Sequence, residues 1–115
     1  MIIMGHEQKP GEPNSTVSFR PVTNLSHFLK NGQIESRLDK IFLIISSQGE
    51  DGEYYPVLKT ECQPRAIDEM YHFNRVRTNS RILANDNKEQ YVVFSVFKFR
   101  DQGKAKKLGS WSVKF

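Results

Sequence analysis

A single cysteine, Cys62, stands among the 115 residues. One thiol cannot form an internal disulfide and cannot supply a zinc knuckle, so the default expectation is a reducing, cytoplasmic compartment. Long apolar runs are missing as well. The longest, Ile41 to Ile45, is five residues, against the roughly 20 that a bilayer-crossing helix needs. The opening "MIIMGHEQKPGEP" has no basic flank and too short an apolar stretch for a signal peptide, which predicts none. No phosphate-cradling glycine loop, no nucleophile elbow and no paired-ligand spacing occurs. His6, His27 and His72 lie far apart, and Glu50, Asp51 and Glu53 crowd one glycine-rich turn. These absences point away from a metal site, a cofactor and a recognisable catalytic residue.

What is present is an uneven charge layout. The formal net charge is +4. Residues 1–69 hold 7 basic and 10 acidic side chains, and residues 70–115 hold 10 basic and 3 acidic ones, so −3 is followed by +7. Positive charge pooled in one part of a small domain favours an anionic partner. Solvated lysines give the same composition without any partner.

Pattern along the chain suggests an architecture. Residues 4–16 carry two prolines, two glycines and almost no apolar groups, so residues 1–16 are expected to be a flexible N-terminal arm ahead of a single α+β domain over 17–115. "TVSFRPV" reads as a short edge strand. "TNLSHFLKNG" reads as a short helix, capped by Thr23 or Asn24 and ended by Gly32, with Ile34 and Leu38 adding another turn. "KIFLIISS" and "EYYPVLKT" form a hairpin around the acidic tip "QGEDG". Ala66, Met70 and Phe73, with Ile67 and Tyr71, share a helical stripe, which predicts a helix over 64–75. "RVRTNSRILA" looks extended, "NDNK" a turn, "EQYVVFSVFKF" a long strand and "WSVKF" a last one. The order (β)αββαβββ implies an α+β fold, with an antiparallel sheet of about five to six strands and two short helices packed on one face.

Two segments carry the functional expectation. Between the last two strands lie Lys104, Lys106 and Lys107, with Lys98, Arg100 and Lys114 on the adjoining strands and only Asp101 opposing them. Tyr91, Phe99 and Trp111 are the rings available beside them. Rings with cations suit single-stranded nucleic acid, because phosphates supply charge attraction and bases stack on aromatics. Burial alone also explains Phe97, Phe99, Trp111 and Phe115 as core. The second segment holds Arg75, Arg77 and Arg81, which suit bidentate phosphate contacts.

A helix followed by "RVRTNSRIL", a turn and an apolar strand resembles the second half of RelE-like ribosome-dependent toxins over about a quarter of the chain. The hairpin at 41–60 departs from that layout. The resemblance implies a small ribonuclease using Arg75, Arg77, Arg81 and a lysine for transition-state charge. Three readings therefore stand together. The first is a non-enzymatic nucleic-acid-binding accessory module using Arg75, Arg77, Arg81, Lys98, Arg100, Lys104, Lys106, Lys107, Lys114 and Trp111. The second is a protein-interaction or inhibitor module of a mobile element, docking through its acidic and basic ends, with an edge strand near Pro56 or Val17 open to homodimer formation. The third is the RelE-like ribonuclease.

Overall fold

The apolar run at Ile41–Ile45 is the middle of the molecule. In the computed structural model it belongs to β4 (Ile41–Gln48), a central strand of a four-stranded antiparallel sheet. The structure describes residues 2–3, 16–25, 32, 34, 39–84, 90–100 and 105–114. The remaining strands are β1 (Ile2–Ile3), β2 (Thr16–Phe19), β3 (Val22–Thr23), β5 (Tyr54–Lys59), β6 (Tyr71–His72), β7 (Val76–Asn79), β8 (Tyr91–Lys98) and β9 (Lys106–Lys114). One short helix, α1 (Ser80–Ala84), is the only helix among the described residues.

The large sheet has the order β5-β4-β8-β9, all antiparallel. Two smaller sheets, β2-β7 and β1-β3-β6, form the layer packed against it. Alternation fixes which face of each strand is buried. Ile41, Leu43 and Ile45 on β4 and Val92, Phe94 and Val96 on β8 turn inward; all are essentially inaccessible. They meet Val17 and Phe19 from β2, Tyr71 from β6, Phe73, and Leu83 from α1. Phe19 and Phe94 lock the two layers edge to face, with ring centroids 6.1 Å apart.

Two bulges re-aim side chains. On β9, Gly109 pairs with Val96 and Lys107 with Phe97, so Leu108 is the extra residue. The bulge turns Leu108 into the core, and leaves Lys107 on the outer face. On β5 the shift opposite Ile45 and Ser46 leaves Val57 unmatched and exposed, while Leu58 packs on the core.

The fold is therefore mostly β, a sandwich, and not the α+β sheet with two packed helices that the sequence suggests. The helix expected over 64–75 is absent. Asp68 Oδ1 accepts the Met70 N–H at 3.0 Å, and Ala66 and Met70 close a turn backbone to backbone. A short acidic side chain bonding its own neighbourhood competes with helix formation. Glu69 takes a left-handed φ of 72°, which costs an L-residue about 1–2 kcal/mol. Ile67, placed on the expected apolar stripe, is 92% exposed. Tyr71 and Phe73 are buried on either side of exposed His72, the period of a strand. Tyr71 and His72 accordingly pair with Thr23 and Val22.

Thr23 is likewise a strand residue rather than a helix cap, and the rest of that expected helix, residues 26–31, lies outside the described residues, as do Leu38, "NDNK" over 85–88, Lys104 and Phe115. Of the expected arm, Ile2–Ile3 and Thr16 are paired in strands, and 4–15 lie outside the described residues. The segment "RVRTNSRILA" is half extended. Its second part forms α1, where Asn79 Oδ1 accepts the Ile82 N–H at 2.9 Å as an N-cap. Ser80, Leu83 and Ala84 bury one side of α1 against β4, β7 and β8. The 41–60 hairpin is present as β4 and β5.

Candidate nucleic-acid interface

The outer face of the four-stranded sheet carries residues of the other parity. From β4 these are Phe42, Ile44, Ser46 and Gln48, and from β8 Tyr91, Val93, Ser95 and Phe97. The adjoining ladder bond from the Phe99 N–H to the Lys40 carbonyl, 2.9 Å, extends the face by one pair. From β5 come Tyr54, Pro56 and Lys59, and from β9 Lys107, Ser110, Ser112 and Lys114. None of these residues is acidic.

Rings and lysines occupy neighbouring positions across this face. Phe42 and Phe97 are register partners and stack, 5.3 Å between centroids and 7° between planes. The Lys59 Nζ lies 4.6 Å from the centre of the Phe42 ring, a cation–π contact that covers a ring already buried in the sheet face. Lys107 is the partner of Phe97, and Lys114 the partner of Tyr91. Lys40 is the ladder neighbour of Phe99. Tyr91 is 48% exposed and Phe99 43%, so both rings present free area. Phe97 and Phe99 follow one another on one side of the chain, about 7 Å apart. Between the two ring-bearing ends run Ser95 and Ser110, cross-strand partners, with Ser112 next along β9.

The acidic hairpin tip lies at the end of the sheet remote from Lys40 and Phe99. Gly52, with φ of 84°, permits the turn. Asp51 accepts the Tyr55 hydroxyl and, at 3.0 Å, the Glu53 N–H. These bonds, the one from Tyr55 foremost, hold the Asp51 carboxyl below the usual range, and the same contact pushes the Tyr55 phenol up. Glu61, at the Lys40 end, is engaged by neighbouring donors. It accepts the Asn74 N–H at 2.7 Å and the Gln63 amide at 2.8 Å. Burial pushes its carboxyl up, but the two hydrogen bonds outweigh that and leave it lowered.

The residues expected from sequence divide among several places. Lys107 and Lys114 lie on the outer face. Lys106 and Arg100 are exposed at the same end of the sheet as Phe99. Lys98 has inward parity, opposite Ile41 and Lys106, and pairs with Asp39 at 3.5 Å. Trp111 is the partner of Phe94 and packs against the core, on the inner side. Lys104 is outside the described residues. Arg75 and Arg77 belong to the other layer: Arg75 Nη1 donates to Ser18 Oγ at 2.9 Å, and Arg77 is the register partner of Ser18. Arg81 is exposed on α1. The cations do not form one footprint. Lys40, Lys59 and Phe42 were missed because the first strand reads as apolar on both sides, and which side faces water depends on the second layer.

Among the described residues no catalytic constellation emerges. His72 Nε2 lies 2.6 Å from Asp68 Oδ2 on an exposed turn. The Asp68 carboxyl is lowered by the Met70 N–H first and by His72 second. Among the described residues no group of three or more histidine, cysteine or carboxylate side chains is placed to hold a metal ion, and no helix is long and apolar enough to cross a membrane. The helix on which the likeness to RelE-like toxins rests is absent, and Val17 is buried on β2, an edge strand of the two-stranded sheet. Pro56 likewise lies on an edge strand.

No family model matches the chain. No curated protein matches it. A solved structure named BON1-C2B, a C2-like domain, is similar, with a TM-score of 0.60 and 21% sequence identity over 86% of this chain. The chain spans 62% of that structure's length. At this identity the likeness shows the fold alone, a β-sandwich of C2-like form.

Proposed function

We propose that this protein is a non-enzymatic module that binds single-stranded nucleic acid across the outer face of its four-stranded sheet. The supporting observation is the placing of rings beside lysines on a face whose described residues include no carboxylate: exposed Tyr91 beside Lys114 and exposed Phe99 beside Lys40, with half-buried Phe97 beside Lys107 and buried Phe42 beneath Lys59. An aromatic ring gives a base a stacking surface, and a lysine beside it meets the adjoining phosphate. Each stacked base contributes about 1–3 kcal/mol, and sequence matters little because every base has a π-face. The lysines make the interaction electrostatic and therefore dependent on salt. Exposed Ser110 and Ser112 place hydroxyls that both donate and accept hydrogen bonds between the rings, while Ser95, the partner of Ser110, is buried.

The alternative explanation of the lysines is protection of an edge strand from pairing with other chains. It accounts for Lys106, Lys107 and Lys114 on β9. It also accounts for Lys59 on edge strand β5, but not for Lys40, which immediately precedes central β4 and neighbours Phe99.

Two substitutions test the stacking half of the reading. Phe99→Ala and Tyr91→Ala each remove an exposed ring and leave the core intact. Each is expected to weaken binding of a labelled single-stranded 15-mer by about 5- to 150-fold, from the stacking energy above. The salt dependence should stay unchanged. Equal affinity for both variants and the unaltered protein would remove the outer face as the binding platform.

A further inference from the structure

The outer side of the two-stranded β2-β7 ribbon carries a second group of cations. Val17, Phe19 and Val76 pack into the core, so Ser18 and Arg77, register partners of opposite parity, lie on the ribbon's other side, where Arg77 is exposed and Ser18 is covered. Arg20 and Arg75 follow immediately beyond the last ladder pair, Phe19 and Val76, and share the alternation parity of Ser18 and Arg77. Arg20, Arg75 and Arg77 are all exposed. Arg75 is oriented by its bond to Ser18 Oγ at 2.9 Å, and Ser18 is itself almost fully covered. Among the described residues no carboxylate pairs with any of the three arginines. Like charges gathered on one side of a short ribbon repel one another, and no carboxylate among the described residues offsets these three. An anion with several oxygens relieves the repulsion. The planar guanidinium fork matches phosphate in a bidentate manner that lysine cannot reproduce.

We infer that the Arg20, Arg75 and Arg77 ribbon is a second phosphate-backbone site, on the side of the sandwich opposite the ring-and-lysine face, so that one molecule holds two single-stranded segments at once. The inference rests on the nucleic-acid reading of the outer sheet face. The two sites differ in chemistry. The sheet face offers rings to bases, and the ribbon offers arginines to phosphates with no exposed ring among its described outward residues Thr16, Ser18, Arg20, Arg75, Arg77 and Asn79. Binding at the ribbon is therefore indifferent to base identity and more sensitive to salt. Linking two sites raises the apparent affinity for a strand long enough to reach both.

Native mass spectrometry with single-stranded octamers, too short to serve both faces well, counts the sites. The unaltered protein is expected to take up two octamers, and a mixture of donor- and acceptor-labelled octamers should show energy transfer. Arg20→Gln with Arg77→Gln should bind one octamer and lose the transfer. Lys59→Gln with Lys107→Gln should also bind about one, now without dependence on Phe99. A single octamer per molecule, bound equally by the arginine variant, overturns the second site and leaves the sheet face standing. No octamer bound by any form overturns both. Arginine-dependent capture of vesicles containing phosphatidylserine, with no arginine-dependent octamer, overturns the inference and assigns the ribbon to lipid headgroups.

Discussion

Glu61 shows how one side chain ties two segments together. Its carboxylate accepts the Asn74 backbone N–H and the Gln63 amide, linking the end of β5 to the loop before β7. Its pKa is lowered on folding from an ordinary value of 4.5. A lowered carboxyl contributes stability that is complete above the unfolded value. The contribution is lost as pH falls through the folded value, because the unfolded chain takes up the proton first. The melting temperature is expected to drop as pH falls below about 4.5, and the drop should be shallower in Glu61→Gln, measured by circular dichroism. At the left-handed Glu69, glycine removes the penalty on a side chain at φ 72°. Its ion pair with Arg65, 3.4 Å and largely exposed on the glutamate side, contributes little. Glu69→Gly should therefore be stabilising by up to about 1 kcal/mol in urea unfolding.

At the scale of elements, legibility followed the strength of the local pattern. The strands at Ile41–Gln48, Tyr54–Lys59 and Tyr91–Lys98 announce themselves through β-branched and aromatic runs broken by a glycine-rich turn. The stretch 64–75 does not. Ala66, Met70 and Phe73 fit a helical stripe, while Tyr71 and Phe73 fit a strand, and only burial against Phe19 and β3 decides between them. The five-residue α1 is too short to nucleate alone; it depends on the Asn79 cap and on the core that receives Leu83. The ring-bearing face was half legible, since the alternation of Tyr91, Val93, Ser95, Phe97 and Phe99 is plain in the sequence. Which side of that strand meets water was set by the second layer, and no local signal gives it. Edge strand β5 carries its own protection. Pro56 withholds a donor, and the bulge at Val57 bends the edge. Pro56→Thr restores the donor between exposed Tyr55 and Val57. It is expected to raise self-association at high concentration, seen as faster-sedimenting species, with the fold retained.

For the whole molecule, the +7 of residues 70–115 is real in sequence but divided in space. Antiparallel pairing carries Lys107 and Lys114 to one side of the sandwich and Arg75 and Arg77 to the other, while Lys40 and Lys59, from the acidic half of the chain, join the first group. A charge tally along the chain could not foresee this, because strand order and register redistribute it. The C2-like form of the fold is a scaffold, and the reading of function rests on the composition of its outer face. The most direct measurement is the salt dependence of binding to a fluorescent single-stranded 15-mer, for the unaltered protein and for a variant with Lys40, Lys59, Lys107 and Lys114 all changed to Gln. For about four neutralised phosphates the logarithm of the affinity should fall with the logarithm of salt with a slope of about −3, and the folded variant should lose most of that slope and of the binding. Absence of binding at low salt, or an identical slope in the variant, would contradict the account.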